Sequence, residues 1–267
     1  MRVAAHRSLF LPLMGSLVVF AWATLWIWEQ SPYGRYLNHG QWSDLSTIAS
    51  LCRAVPGGEV LVPLLLYVGG WTLMSAAMML PTTFPLLEAF RRLTARRDDR
   101  HRLVALLIGG YLAAWGLFGL VAHLADWLLL ELLQTSDWLT FNGWAIGASV
   151  FALAGLFQFS SLKYRCLDKC RSPPSFVLEN WRGHNHAYYA ARLGLRHGAY
   201  CVGCCWALML LMFALGTGSL GWMLLLGGIM AVEKNMPWGR YLSAPLGTAL
   251  VGVALWIVAE HSGLFSI

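Results

Sequence analysis

Charged residues are scarce in this chain of 267 residues, where Asp, Glu, Lys and Arg make up only 12% of the sequence. A soluble globular domain usually carries about 25%. Hydrophobic residues reach 58%, and the mean hydropathy is +0.57. Because so few polar side chains are available to cover a water-facing surface, an ordinary soluble domain is excluded.

Motifs of common catalytic and nucleotide-binding sites are also absent. The chain contains no G-x-S-x-G, P-loop, dinucleotide fingerprint or H-E-x-x-H sequence. It has no paired C-x2-C zinc pattern and no motif of a nucleic-acid-binding module. These absences favour a binding protein over an enzyme and predict no nucleic-acid partner.

What the sequence does contain is a series of long apolar blocks separated by short polar ones. This pattern predicts an all-α protein, a polytopic membrane helical bundle with about seven transmembrane helices in a single domain, 1–267. The spans are expected at 9–28, 60–81, 103–125, 143–159, 199–215, 219–232 and 243–259. Only 216–218 separate the fifth and sixth spans, so these two should form an antiparallel hairpin.

The distribution of basic residues predicts the orientation of these spans. With a cytoplasmic N-terminus, 17 of the 19 Lys and Arg residues lie inside, leaving only Arg35 and Arg53 outside. The net charge of +6 then follows from topology. Residues 21–23 resemble a signal-peptidase site, but the apolar run continues to Trp28, which favours an uncleaved first helix. Cleavage would leave six spans.

Sulfur-containing residues are concentrated where the predicted spans meet the cytoplasmic face. The expected metal ligands are Cys201, Cys204, Cys205, Cys166, Cys170, Met74, Met78, Met209 and Met212. The first three form the thiolate core, since i, i+3 and i+4 positions share one helix face. Met209 and Met212 would be relay sites deeper in the bilayer. Soft thiolate and thioether ligands point to a soft metal, with Cu(I) the leading candidate.

Two other interpretations of the same residues remain open. Methionine and cysteine are common packing residues in helical cores, so the chain could be a non-catalytic assembly factor. The spacing of Cys201 and Cys204 also permits a membrane thiol–disulfide oxidoreductase that exchanges with Cys166 and Cys170. The reducing cytoplasm argues against that enzyme.

Four further features carry weaker signals. His123 and Asp126 form an i, i+3 pair near an outer helix end, and His184-x-His186 lies in an inner loop. Cys52 stands alone outside. Glu233-Lys234, at the inner end of the sixth span, is expected to anchor another helix through an ion pair.

Several of these motifs together resemble a bacterial family of integral membrane proteins that are predicted to bind metal and are sometimes labelled copper chaperones. The matching motifs are Trp71-x2-Met74-x3-Met78-Met79-x-Pro81, Phe157-Gln158-x4-Lys163-x2-Cys166-x3-Cys170, Gly198-x2-Cys201-x-Gly203-Cys204-Cys205-Trp206-x2-Met209-x2-Met212 and Glu233-Lys234-x2-Pro237. The resemblance covers about 65–260 and implies a multi-helix membrane fold and a metal, with copper favoured.

Taken together, the residues and the resemblance predict a multi-pass protein of the bacterial inner membrane that holds Cu(I) at its cytoplasmic face. Its expected partners are the lipid bilayer, the metal ion, and a cuproprotein or soluble metallochaperone that exchanges copper with it.

Overall fold

The computed structural model describes residues 16, 18–20, 22–27, 58–135, 142–181, 185–215 and 220–262. Every regular element in these ranges is helical, which confirms the predicted all-α class. The helices are α1 (Gly58–Met79), α2 (Phe84–Leu93), α3 (Arg100–Thr135), α4 (Trp144–Phe157), α5 (Ser161–Arg171), α6 (Pro173–Asn180), α7 (His186–Leu215), α8 (Leu220–Asn235) and α9 (Ser243–His261). Short 3-10 turns at Pro81–Thr83 and Gly239–Leu242 precede α2 and α9.

Three of these helical segments are long and apolar enough to cross a membrane, and up to five if each of two bent helix pairs counts as one span. The three are 100–125, 186–212 and 239–261. The expected total of seven spans and the cytoplasmic N-terminus therefore stay predictions. Much of the first predicted span and the 216–218 hairpin connection lie outside the described residues.

The two bent pairs have identifiable local causes. α1 and α2 meet at 49° across Pro81, whose ring cannot continue an α-helix without losing a backbone hydrogen bond. α4 and α5 meet at 62° at Ser160, whose extended backbone and side-chain oxygen cap the N-terminus of α5 by accepting from Lys163 N at 3.1 Å. This second bend turns α5 across the end of the bundle.

The predicted inner loop 160–198 is largely helical rather than irregular. It contains α5, α6 and the first turns of α7, which begins at His186 instead of the expected residue 199. The apolar pattern placed the start of the span too late because the first three turns of α7 carry polar side chains, among them Arg192 and Arg196. The apolar pattern therefore locates the hydrophobic part of this helix and misses the residue at which the helix begins.

α7 is the central helix and packs most extensively against α3. The two backbones can approach closely because glycines stand at the crossing. A Cβ atom at Gly194 would overlap the carbonyl of Leu107, and one at Gly198 would lie 2.6 Å from Ala114 Cβ. Small residues at such crossings are typical of packed membrane helices. The close approach sets Tyr111 of α3 directly against α7.

The surface of the bundle is more apolar than that of a soluble protein, and the hydrophobic core also contains a few buried charged side chains. Large apolar side chains face outward on several helices, including Leu117, Leu156, Leu224 and Trp256, each at least 60% exposed. The interior contains the buried charged residues Lys163, Glu233 and Lys234. Exposed apolar faces of this extent are typical of interaction surfaces, lipid among them, and with the long apolar helices the fold is consistent with a membrane protein.

Candidate metal centre

Five cysteines from two helices come together at one end of the bundle, and we refer to them as the thiol cluster. They are Cys166 and Cys170 of α5 and Cys201, Cys204 and Cys205 of α7. All five are free thiols, and each is at most 8% exposed. The predicted grouping of these residues is therefore present in the structure.

Helical spacing and one close helix contact bring the five side chains together. Cys166 and Cys170 are separated by one turn of α5, and a Cβ atom at Gly203 of α7 would lie 2.7 Å from Cys166 Sγ. The thiol of Cys170 interacts with those of Cys201 and Cys204. A side chain larger than hydrogen at position 203 would force the Cys166 thiol to rotate or move away from α7.

Cys201 is the most heavily contacted member of the thiol cluster. Its Sγ lies 3.0 Å from the Tyr111 hydroxyl and accepts a hydrogen bond from Lys234 Nζ at 2.9 Å. The same Tyr111 hydroxyl is 3.3 Å from the carbonyl of Met79 at the end of α1. Side chains of α3 and α8 therefore contact this sulfur directly, and α1 is connected to it through the Tyr111 hydroxyl.

Lys234 extends from the last turn of α8 into an environment made mainly of sulfur. The residue is 6% exposed. Besides Cys201, its ammonium lies 3.5 Å from Met79 Sδ, 3.5 Å from Thr82 Oγ1 and 3.9 Å from Cys205 Sγ. An isolated ammonium in an apolar interior is very costly. A thiolate beside Lys234 would compensate this charge, so the ammonium favours the deprotonated form of the neighbouring cysteines.

The thiols of the cluster are paired with the protein rather than directed at a common point. Cys204 and Cys205 donate to the backbone carbonyl of Cys201 at 3.1 and 2.8 Å. Among the residues the structure describes, no three Cys, His, Asp or Glu side chains converge in the arrangement of a formed metal site. Binding a metal would require these two thiols to rotate away from the carbonyl.

His197 lies one turn before Cys201 on α7 and supplies a nitrogen to the same region. It is 3% exposed, and its Nδ1 has no hydrogen-bond partner among the described residues. Its ring packs against Tyr111 at 6.1 Å and Phe176 at 5.4 Å between centroids. A buried imidazole nitrogen without a partner is unusual and is chemically suited to bind a soft metal.

A second buried polar group lies immediately beside the thiol cluster. Lys163 of α5 pairs with Glu233 of α8, with Nζ 2.6 Å from Oε1, and it also donates to Gln158. Ser243 donates to the same Glu233 oxygen at 2.7 Å. Glu233 thus anchors α8 to another helix, as the sequence suggested, whereas its neighbour Lys234 points to the cysteines.

The predicted methionine ligands occupy the hydrophobic core. Met74, Met78, Met209 and Met212 are all buried within it, and Met78 packs opposite Gly227 of α8. The methionine sulfur that contacts Lys234 is that of Met79, which the ligand prediction left out. Tyr111 was also missed, although a phenol within an apolar span is a signal that could have identified it.

The weaker sequence candidates lie away from the thiol cluster or outside the described residues. The His123 ring is 4.3 Å from that of Tyr67, and His186 Nε2 is 3.1 Å from Arg97 Nη1. Arg97 also pairs with Asp99 at 2.8 Å, and this hydrogen bond lowers the pKa of the Asp99 carboxyl. Residues 52 and 184 and the side chain of Asp126 are among those the structure does not describe.

Comparisons with known proteins give one match. No curated protein and no solved structure is significantly similar to the chain. A family model does match it, over residues 68–257, which includes all nine predicted metal ligands and Lys234. This range is well over half of the chain and agrees with the resemblance seen in the motifs. The chain therefore belongs to the PpoB2 family, which is described as copper chaperone.

Proposed function

We propose that the protein binds Cu(I) through the thiol cluster at the cytoplasmic side of the membrane and holds it for delivery to a partner protein. The observation that carries this proposal is the convergence of five buried free cysteines of α5 and α7. Membership in a family described as copper chaperone supports a role connected with copper. Thiolates select soft, monovalent copper over harder cations.

The arrangement supports a two-thiolate site that includes Cys201. Cys204 and Cys205 donate to a carbonyl that is itself part of α7, so each thiol can leave it by rotation about one side-chain bond. Binding releases one proton from each thiol that becomes a ligand. Cys166 and Cys170 of α5 and the imidazole of His197 provide further donors within the same layer.

Methionines extend the soft surface from the cluster into the bilayer. Met74 and Met78 of α1, with Met209 and Met212 of α7, are buried in the core that continues from the cysteines. Thioethers carry no charge, so they can hold Cu(I) in apolar surroundings without adding buried negative charge. In the proposal these four residues are secondary and relay ligands, while the thiols supply the main affinity.

The first prediction tests the thiol core directly. Replacing Cys201 and Cys204 together with Ser should abolish copper retention by detergent-purified protein loaded with Cu(I) under reducing conditions, because a hydroxyl is a poor ligand for this ion. Elemental mass spectrometry measures the copper, and thermal unfolding checks that the variant is folded. Cys52→Ser, which removes a cysteine outside the cluster, is the matched control and should retain copper.

Retention of copper by the folded double variant would refute the thiol assignment. Thiol trapping in cells tests the competing exchange function, because an oxidoreductase should show a partly oxidised pool of Cys166, Cys170, Cys201, Cys204 and Cys205. A copper-holding protein should keep all five reduced, as a thiolate must be free to bind metal. Transfer of the bound copper to an apo-cuproprotein then tests delivery.

A further inference from the structure

We propose that Lys234 is a specificity-determining residue of the metal centre: its fixed positive charge makes the site accept a monovalent metal ion and disfavour a divalent one. The inference rests on the proposed function, since it concerns the same thiol cluster. It assigns a role in metal selection to a residue whose sequence context predicted only an ion-pair anchor for another helix.

The position of the ammonium is the first observation. Lys234 Nζ is 2.9 Å from Cys201 Sγ and 3.9 Å from Cys205 Sγ, so it contacts two of the three thiolate-core sulfurs. Its remaining neighbours, Met79 Sδ and Thr82 Oγ1, are uncharged. The charge of Lys234 is therefore directed at the sulfurs that would carry the metal.

The second observation is that the adjacent carboxylate, Glu233, does not neutralise the charge of Lys234. Glu233 Oε1 is 2.6 Å from Lys163 Nζ and also accepts from Ser243 at 2.7 Å. Glu233 and Lys163 therefore compensate each other. Within the part of the chain that the structure describes, the titratable side chains that interact with Lys234 are Cys201, Cys204, Cys205, Tyr111 and His197.

The third observation is that α8 holds Lys234 firmly in place. Arg171 of α5 donates to the backbone carbonyls of Glu233 and Pro237, on either side of Lys234. A Cβ atom at Gly239 would overlap the carbonyl of Val232, so the turn that follows α8 packs tightly against the helix end. These contacts restrain the backbone on both sides and favour an ammonium that stays with the sulfurs when metal binds.

Charge balance then discriminates between metals. A monovalent ion that binds two thiols displaces two protons to water and forms a bis-thiolate complex of charge −1, which Lys234 brings to zero. A divalent ion in the same two-thiolate site forms a neutral complex, and the ammonium leaves a net charge of +1. Uncompensated charge in a protein interior is strongly unfavourable, so a two-thiolate site favours the monovalent ion. A divalent ion reaches the same charge balance only by recruiting a third thiolate, which costs a further proton.

Silver(I) and cadmium(II) test this inference, because both are soft thiophilic ions and they differ in charge. Both ions are titrated in competition into full-length, detergent-purified protein, and each bound metal is quantified by elemental mass spectrometry. Lys234→Met removes the charge with little change in side-chain length. The preference for Ag(I) over Cd(II) should fall at least about tenfold in this variant, since a buried charge loses its partner.

Two further variants separate charge from structure. Lys234→Gln is neutral but can still donate to Cys201, so it should lose the preference in the same way if charge is the cause. Lys169→Met removes an exposed lysine that pairs with Glu179 on the surface, and it should leave the preference unchanged. A cooperative thermal unfolding transition establishes that each purified variant is folded. The comparison uses whichever of Lys234→Met and Lys234→Gln is folded.

The possible outcomes distinguish this inference from the proposed function. If wild-type protein binds Ag(I) and either folded neutral variant keeps the full preference for it, the role of Lys234 is refuted while the thiol metal centre stands. If wild-type protein binds no Ag(I) and no Cu(I), the proposed function fails and the inference fails with it. If the preference for Ag(I) falls in the neutral variants at position 234 and stays unchanged in Lys169→Met, the result supports both the metal centre and the role of Lys234.

Discussion

Two lysines at neighbouring positions in space have different partners, and this difference defines the chemistry of the centre. Lys163 is compensated by a carboxylate, whereas Lys234 faces sulfur. A buried ion pair contributes little net stability, but removal of one partner leaves an uncompensated charge that is expensive. The intact pair between Lys163 of α5 and Glu233 of α8 is therefore expected to add little stability of its own, whereas loss of either partner should be costly.

We predict that Glu233→Gln destabilises the protein by about 3–5 kcal/mol, because the Lys163 ammonium loses its only charged partner in the described contacts. Lys163→Met should cost a similar amount. The double variant should be more stable than the sum of the two single changes implies, since neither charge remains. Unfolding of the detergent-solubilised variants measures all three, and simple additivity would contradict an energetic coupling of the pair.

At the scale of whole elements, the crossing of α3 and α7 decides whether Tyr111 reaches the thiol cluster. The crossing depends on glycine, because Gly194 and Gly110 each face the backbone of the opposite helix. With a side chain at either position the helices must separate, and the 3.0 Å contact between Tyr111 and Cys201 would be lost. Helix packing thus sets the contacts of Cys201.

We predict that Gly194→Ala destabilises the protein by about 1–3 kcal/mol through overpacking against the Leu107 carbonyl. Gly109→Ala is the matched control, because a Cβ atom there meets nothing within 4 Å. That change should be neutral or stabilise α3 by up to about 1 kcal/mol, as Ala is the better helix former. Equal effects of the two substitutions on the unfolding transition would argue against the close crossing.

At the scale of the whole molecule, the exposed apolar faces and the distribution of arginine together predict how the bundle is oriented in a bilayer. The connection between α2 and α3 carries an exposed Arg96, and the basic residues around it predict a cytoplasmic location. The end of α9, near Ser262, is expected on the opposite side. The thiol cluster would then face the cytoplasm, where a reduced metal and reduced thiols coexist.

This orientation can be measured by labelling single introduced cysteines in cells, in a Cys52→Ser background. We predict that a membrane-impermeant maleimide labels Ser262→Cys in intact cells and labels Arg96→Cys only after the membrane is permeabilised. Both positions are exposed, so burial does not explain a difference between them. The reverse labelling pattern would invert the orientation and place the thiol cluster on the outer side.

Much of the fold could be predicted from the sequence because its causes are local. Long apolar runs predicted helices, and most of the described helices lie where these runs were found. The start of α7 at His186 was missed because the first turns of this helix carry polar side chains, which interrupt the apolar pattern. The bend after α4 could not be predicted, because the apolar pattern gives no angle between consecutive helices. Ser160 is a good capping residue, but a cap indicates where a helix begins and not how it is tilted.

The sequence by itself determined the helical class, the apolar character of the helices and the family, since these follow from composition and motifs. It also predicted that the cysteines of two helices come together, because the expected order of the spans brings both helix ends to one face. Only the tertiary structure decided that Lys234 meets Cys201, 33 residues away, and that Tyr111 meets it across 90 residues. These contacts depend on the rotation of each helix about its own axis and on the distance at which helices cross. Packing of side chains from several elements sets both quantities, and no local period in the sequence contains them.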